Sequence, residues 1–160
     1  LAVNDIGAYF RGRVDHLVSY HEAQLDPVRR LRYPNGCHDA AVVTHSNLKR
    51  QFRPGKAKWA PADIAWNMHQ GAGGTSSMLA VMIALAMGCA RVVLCGAPMD
   101  GTGHFFDPPW AETSRMFATS TQHTEWVQAR GNWMAGRVRS MSGRTSDWLG
   151  QPTKEWWHGQ

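Results

Sequence analysis

The segment from Met78 to Met87 is apolar on every side, because Met78, Leu79, Val81, Met82, Ile83, Leu85 and Met87 leave no polar face for solvent. Both ends are marked as helix ends. Thr75 or Ser76 can cap the start, since a short hydroxyl accepts from a backbone N–H two or three residues on, and Gly88 can stop the helix in a left-handed conformation. At about a dozen residues the helix is too short to span a bilayer, so its apolar surface must be buried in protein. The run Val92-Val93-Leu94-Cys95 follows at once, with the continuous apolar pattern of a strand covered on both faces of a parallel sheet. A buried helix leading directly into a buried strand is half of an α/β crossover, and it predicts a helix from Ser76 to Met87 packed on a sheet with Val92 to Cys95 in its interior.

Two stretches around this unit carry candidate chemistry. Ahead of the helix runs Gly71-Ala72-Gly73-Gly74-Thr75-Ser76-Ser77. A Gly-rich loop entering a helix presents free N–H groups and the positive end of the helix dipole, which suits a phosphate or carboxylate; the plain alternative is a tight turn with Thr75 as its cap. After the strand runs Gly96 to Asp107, the place where open α/β sheets put their ligands. Asp100, His104 and Asp107 crowd that loop, and their spacing suits a general base but matches no defined metal signature. His123 stands in the polar segment Ser120-Thr121-Gln122-His123-Thr124, read as a break between helical stretches, which is a context for a working imidazole.

The remaining chain repeats the same grammar. Leu1-Ala2-Val3 reads as the end of a strand, and Asn4-Asp5 as the cap of a short helix through Ile6, Tyr9 and Phe10. Leu17 to Tyr20 reads as a second strand, with a helical segment from His21 through Val28 and Leu31 to the turn at Tyr33-Pro34-Asn35-Gly36. Ala40 to Thr44 reads as a third strand, so His21 and His45 follow strands directly and share a sheet edge with His104. From His45 to Gln70 basic residues, prolines and a glycine predict a surface excursion, with a short strand or turn between Trp59 and Trp66. A helical region from Ala111, a last strand Val138 to Met141 and a helix Arg144 to Leu149 complete the pattern, and the paired Trp156-Trp157 either pack back on the domain or form an oligomer contact. The whole is expected to be one α/β domain, residues 1–160, with a mainly parallel sheet of about five strands and helices on both faces.

Composition narrows the partners. With 43% hydrophobic and 18% charged residues the chain is a folding sequence, and its net charge of +5 favours acidic partners such as nucleotides. Arg29, Arg30, Arg32, Lys49, Arg50, Arg53, Lys56 and Lys58 form no recognised nucleic-acid module, so solvated surface charge is the ordinary reading. Cys37, Cys89 and Cys95 make no CxxC pair, which points to a reducing, cytoplasmic setting. No stretch is long enough for a membrane span. A start at Leu1 is expected of a fragment or a processed product.

Taken together, Thr75-Ser76-Ser77 before an apolar helix, Gly88, the strand Val92 to Cys95 and the loop opening at Gly96 resemble two groups of proteins. These are the bacterial sialyltransferases, which use a CMP-activated sugar, and the motility accessory factors that modify flagellin, with their pterin diphosphokinase relatives. Thr102-Gly103-His104 resembles a Thr-His-Ala of the second group, and Val3-Asn4 resembles the post-strand Asn of the first. Where those families have Asp directly after the strand, this chain has Gly96-Ala97-Pro98, with Asp100 displaced. The resemblance implies a Rossmann-like fold, with a further strand and Gly-rich loop ahead of Leu1. It implies nucleotide contacts at Asn4, Gly73, Gly74, Thr75, Ser76 and Ser77, and a base at His104 or His123 with Asp100 beside it. The implied activity is transfer of a sugar from a nucleotide donor to an acceptor hydroxyl, or binding of the nucleotide alone, with no cofactor besides the donor. Two other classes fit the sequence: a non-catalytic assembly or structural protein, of a phage-related kind, forming a homo-oligomer through its Trp-rich tail, and a nucleic-acid-binding protein.

Overall fold

The structure, a computed structural model, describes residues 1–32, 34, 42–47, 62–67, 75–100 and 120–159, with the side chains of 120–122 outside that set. The chain divides into two compact units, Leu1–Ile83 and Ala84–Gln160.

In the first unit four strands pair in parallel in the order β1 (Ala2–Val3), β2 (His16–Val18), β3 (Val43–Asn47) and β4 (Ile64–Trp66). Parallel neighbours require a crossover between them, and α1 (Ile6–Tyr9) and α2 (Leu25–Arg32, entered through a 3-10 turn at Glu22–Gln24) supply helical ones. Successive residues of a strand face opposite sides, so Leu17 and Val18 seed two different cores. Leu17 packs with Ala2, Ala8, Val14, Leu25 and Val28, the side of α1 and α2. Val18 packs with Leu79, Ala80 and Ile83 of α3 (Ser76–Ala86), joined by Val3, Tyr20 and Trp66. The sheet of this unit is therefore covered by helices on both faces, as its sequence requires.

The second unit holds β5 (Val92–Leu94) and β6 (Val138–Ser140), paired in parallel with Val92 opposite Val138. Its helices are α4 (Ser120–Gly131), α5 (Gly143–Leu149) and α6 (Lys154–His158). Trp126, Met134, Val138 and Leu149 are buried in it. Trp156 packs back on this unit: its indole N–H donates to the Gly136 carbonyl, and the guanidinium groups of Arg91 and Arg139 lie over its ring at 5.7 and 5.6 Å from the centroid. Trp157 beside it is exposed.

Several expectations are corrected. The described strands form a four-stranded and a two-stranded sheet rather than one sheet of about five. Within its own unit β5 pairs with β6, Val92 and Val93 are half-buried and Cys95 lies exposed beyond the strand, so the strand is not covered on both faces. The third strand sits later than Ala40 to Thr44, because Thr44, His45, Ser46 and Asn47 are all buried and it is their backbone that joins the ladder. Asp5 does not cap α1 through its side chain; the turn is closed by backbone bonds from Gly7 N to Asn4 O and from Ala8 N to Asp5 O. The polar segment from Ser120 is no break but the first turn of α4.

Candidate functional site

The carboxyl ends of β1 and β2 meet the amino end of α3, and each contact there follows from the parallel arrangement. Asn4 is the first residue beyond β1; its N–H donates to Val18 O at 3.0 Å, which extends the ladder by one rung. Its φ of 51° is left-handed, a region that Asn enters more readily than most residues, and this turns the chain into α1. Its side-chain Oδ1 is buried and has no hydrogen-bond partner among the described residues. One strand over, Ser19 N donates to His45 O, and Tyr20 N donates to Ser76 Oγ at 2.9 Å, so the first turn of α3 is tied directly to the end of β2. Thr75 Oγ1 accepts from Met78 N at 3.2 Å, the cap that the sequence predicts. Ser76 is buried, whereas Thr75 and Ser77 are half-buried.

Four of the expected ligand contacts, Asn4, Thr75, Ser76 and Ser77, thus belong to one sheet edge of one unit. Gly73, Gly74 and His104 lie outside the described residues, as does Asp107. Asp100 and His123 belong to the second unit. Asp100 ends the stretch Gly96 to Asp100, which is pinned to α5: Thr145 Oγ1 donates to Ala97 O at 2.7 Å, and Asp100 Oδ2 lies 2.6 Å from where a Cβ on Gly143 would stand. That places the Asp100 carboxylate beside the first residue of α5. His123, expected in a break, is exposed on α4 with its ring stacked on Trp148 at 4.7 Å and 25°.

The sequence reading missed a cluster inside the first unit. His45 is not at the sheet edge but in the interior of β3, fully buried. Its Nε2 lies 2.9 Å from His16 Nδ1 on β2, and its Nδ1 accepts from Trp66 Nε1–H on β4, also at 2.9 Å. Burial holds the His45 imidazole below its ordinary pKa, the neighbouring His16 acts in the same direction, and Asp63 opposes them. Asp63, at the start of β4, accepts at Oδ2 from both the N–H and the hydroxyl of Thr44, and these bonds, the hydroxyl's first, keep its carboxyl below the usual range. A signal for the cluster was present: His16, His45 and Trp66 each lie at a strand position of matching parity once β3 is placed at Val43 to Asn47.

Among the described residues no three His, Cys, Asp or Glu side chains are grouped to hold a metal ion, and no helix is long and apolar enough to cross a membrane. Compared with family models, with curated proteins and with solved structures, the chain matches none.

Proposed function

We propose that the first unit is a Rossmann-like nucleotide-binding unit whose ligand lies at the carboxyl edge of β1 and β2, against the amino end of α3. The observation that carries this reading is Asn4: a residue in a left-handed turn after an edge strand, with a buried amide oxygen left without a partner among the described residues. A buried acceptor without a donor costs about 1–3 kcal/mol, and a ribose hydroxyl or base N–H would relieve that cost. The free N–H groups in the first turn of α3 favour the phosphate of the same molecule.

In the fuller form of this proposal the chain is a nucleotide-sugar-dependent glycosyltransferase or a binding-only relative. His104 or His123 takes the proton of the acceptor hydroxyl, the hydroxyl oxygen bonds to the anomeric carbon, and the nucleotide leaves with the electron pair of the broken bond. No redox cofactor is needed for that step. The exposure of Trp157 favours a second reading, a non-catalytic assembly protein that uses the α6 surface.

Thermal unfolding with millimolar cytidine and uridine phosphates tests the proposal. A ligand at 100 times its Kd adds about 2.7 kcal/mol to stability, a readable rise in melting temperature. Asn4→Gly keeps the left-handed turn and removes only the amide, so it is expected to fold and to lose most of that rise. No rise for any nucleotide, or a rise that Asn4→Gly leaves intact, overturns the reading.

A further inference from the structure

The row His16, His45, Trp66 crosses three adjacent strands on one face of the sheet, and the proposed nucleotide site does not use it. In the register of the sheet Val18 stands opposite His45, and His45 opposite Ile64, so by strand alternation His16, His45 and Trp66 share the face on which α3 packs. We propose that this row is an acid-sensitive latch: in its neutral form it ties the edge strand β4 to β3 and β2, and the uptake of one proton opens it.

Proton accounting carries the argument. The indole N–H of Trp66 is a donor only, so His45 Nδ1, which faces it, must be bare. The contact between His45 Nε2 and His16 Nδ1 holds one proton and no more, since two facing N–H groups repel. The only other ring nitrogen of the pair is His16 Nε2, so the row accommodates at most two protons and both imidazoles are neutral. His45 then donates from Nε2, and His16 carries its proton on Nε2 as well. A third proton, wherever it is placed, sets two donors against each other and breaks either the His16–His45 or the His45–Trp66 bond. In a fully buried ring that third proton also brings an unpaired charge into the sheet, which the interior disfavours.

The surroundings offer limited help to that charge. Among the described residues β1 and α3 carry no titratable side chain. On β2 the neighbour Asp15 is exposed and paired with Arg13. Next to β4 stands Asp63, whose negative charge favours a protonated His45 but is committed to Thr44 and lies under the field of Arg29. In the 3-10 turn Glu22 accepts from Ala62 N, and His21 precedes it, exposed. On α2, Asp26 is paired with Arg29 and Arg30. β4 has only three residues, so the indole bond is a large part of what secures its far end at Trp66.

Nuclear magnetic resonance of the histidine rings in the isotopically labelled chain reads the device directly. At about pH 7.5 both His16 and His45 are expected as Nε2–H tautomers. On lowering the pH to about 5, the indole N–H of Trp66 and the amides of β4 are expected to lose protection from hydrogen exchange by about tenfold relative to those of Leu17 and Val18. His45→Asn places a non-titrating acceptor in the position of His45 Nδ1, facing the Trp66 indole N–H, and β4 should then keep its protection over the same range. An Nδ1–H tautomer of either ring at neutral pH overturns the proposal, as does β4 exchanging in step with β2, or His45→Asn losing β4 protection as the wild type does.

Discussion

Arg32 shows how much one buried cation can organise. It is 3% exposed, and its guanidinium donates to three carbonyls of α1 and the connection that follows it: Nη1 to Gly7 O and to Phe10 O, and Nη2 to Gly12 O. The end of α1 is thereby satisfied from α2 as well as by the Phe10 N–H, which donates to Ile6 O. Arg32→Met preserves length but strips a donor from each carbonyl, and is expected to cost about 2–4 kcal/mol in urea unfolding. Arg32→Lys should recover only part of this, because a single ammonium cannot span the three acceptors as the planar fork does. Full recovery by Lys would show that charge rather than geometry matters at this position.

The joint between the β5 exit and α5 depends on a glycine. Gly143 has a φ of 63°, and a Cβ there would stand 2.6 Å from both Pro98 Cα and Asp100 Oδ2. Gly88, at the end of α3, has a φ of 92° but nothing within 4 Å. Gly88→Ala should therefore cost only the left-handed strain of about 1–2 kcal/mol, whereas Gly143→Ala adds a collision with backbone and should cost clearly more in the same unfolding assay. Equal costs would mean that the Gly96–Asp100 segment yields easily. The elements themselves were unevenly legible. The α3 limits could be read because Thr75 and Gly88 mark them with chemistry that acts within one turn. The start of β3 could not, because Ala40 to Thr44 is the more apolar window, while Ser46 and Asn47 are buried by neighbours distant in sequence. The polar composition of Ser120 to Thr124 likewise hid a helix start, because no apolar periodicity marks it.

Over the whole molecule, the perturbed groups give stability a defined response to acid. A histidine held below its ordinary pKa binds protons less readily folded than unfolded, so the contribution of His45 is complete above about 6.5 and declines as the pH falls below it. The carboxyl of Asp63 is also depressed, so its contribution is complete above its ordinary value of 3.8 and is lost below it. Urea midpoints should fall in two stages on acidification, and a midpoint that rises between about pH 7 and 5.5 would contradict the first. Of the candidate site, the sequence showed Asn4 and the Thr75 to Ser77 turn because strand ends and caps are local signals, but it did not show the imidazole row, which depends on register. Register has a further consequence, in time rather than in energy. Every strand pair among the described residues is parallel, so none of these ladders can begin at a hairpin: Ala2 must find Leu17, His16 must find Val43, and Val92 must find Val138. Each search closes a loop before any rung forms, which places this chain among the slower folders of its size. While the search lasts, the apolar surface of α3 has no sheet to cover it, and newly made chains are at that stage most prone to associate with one another.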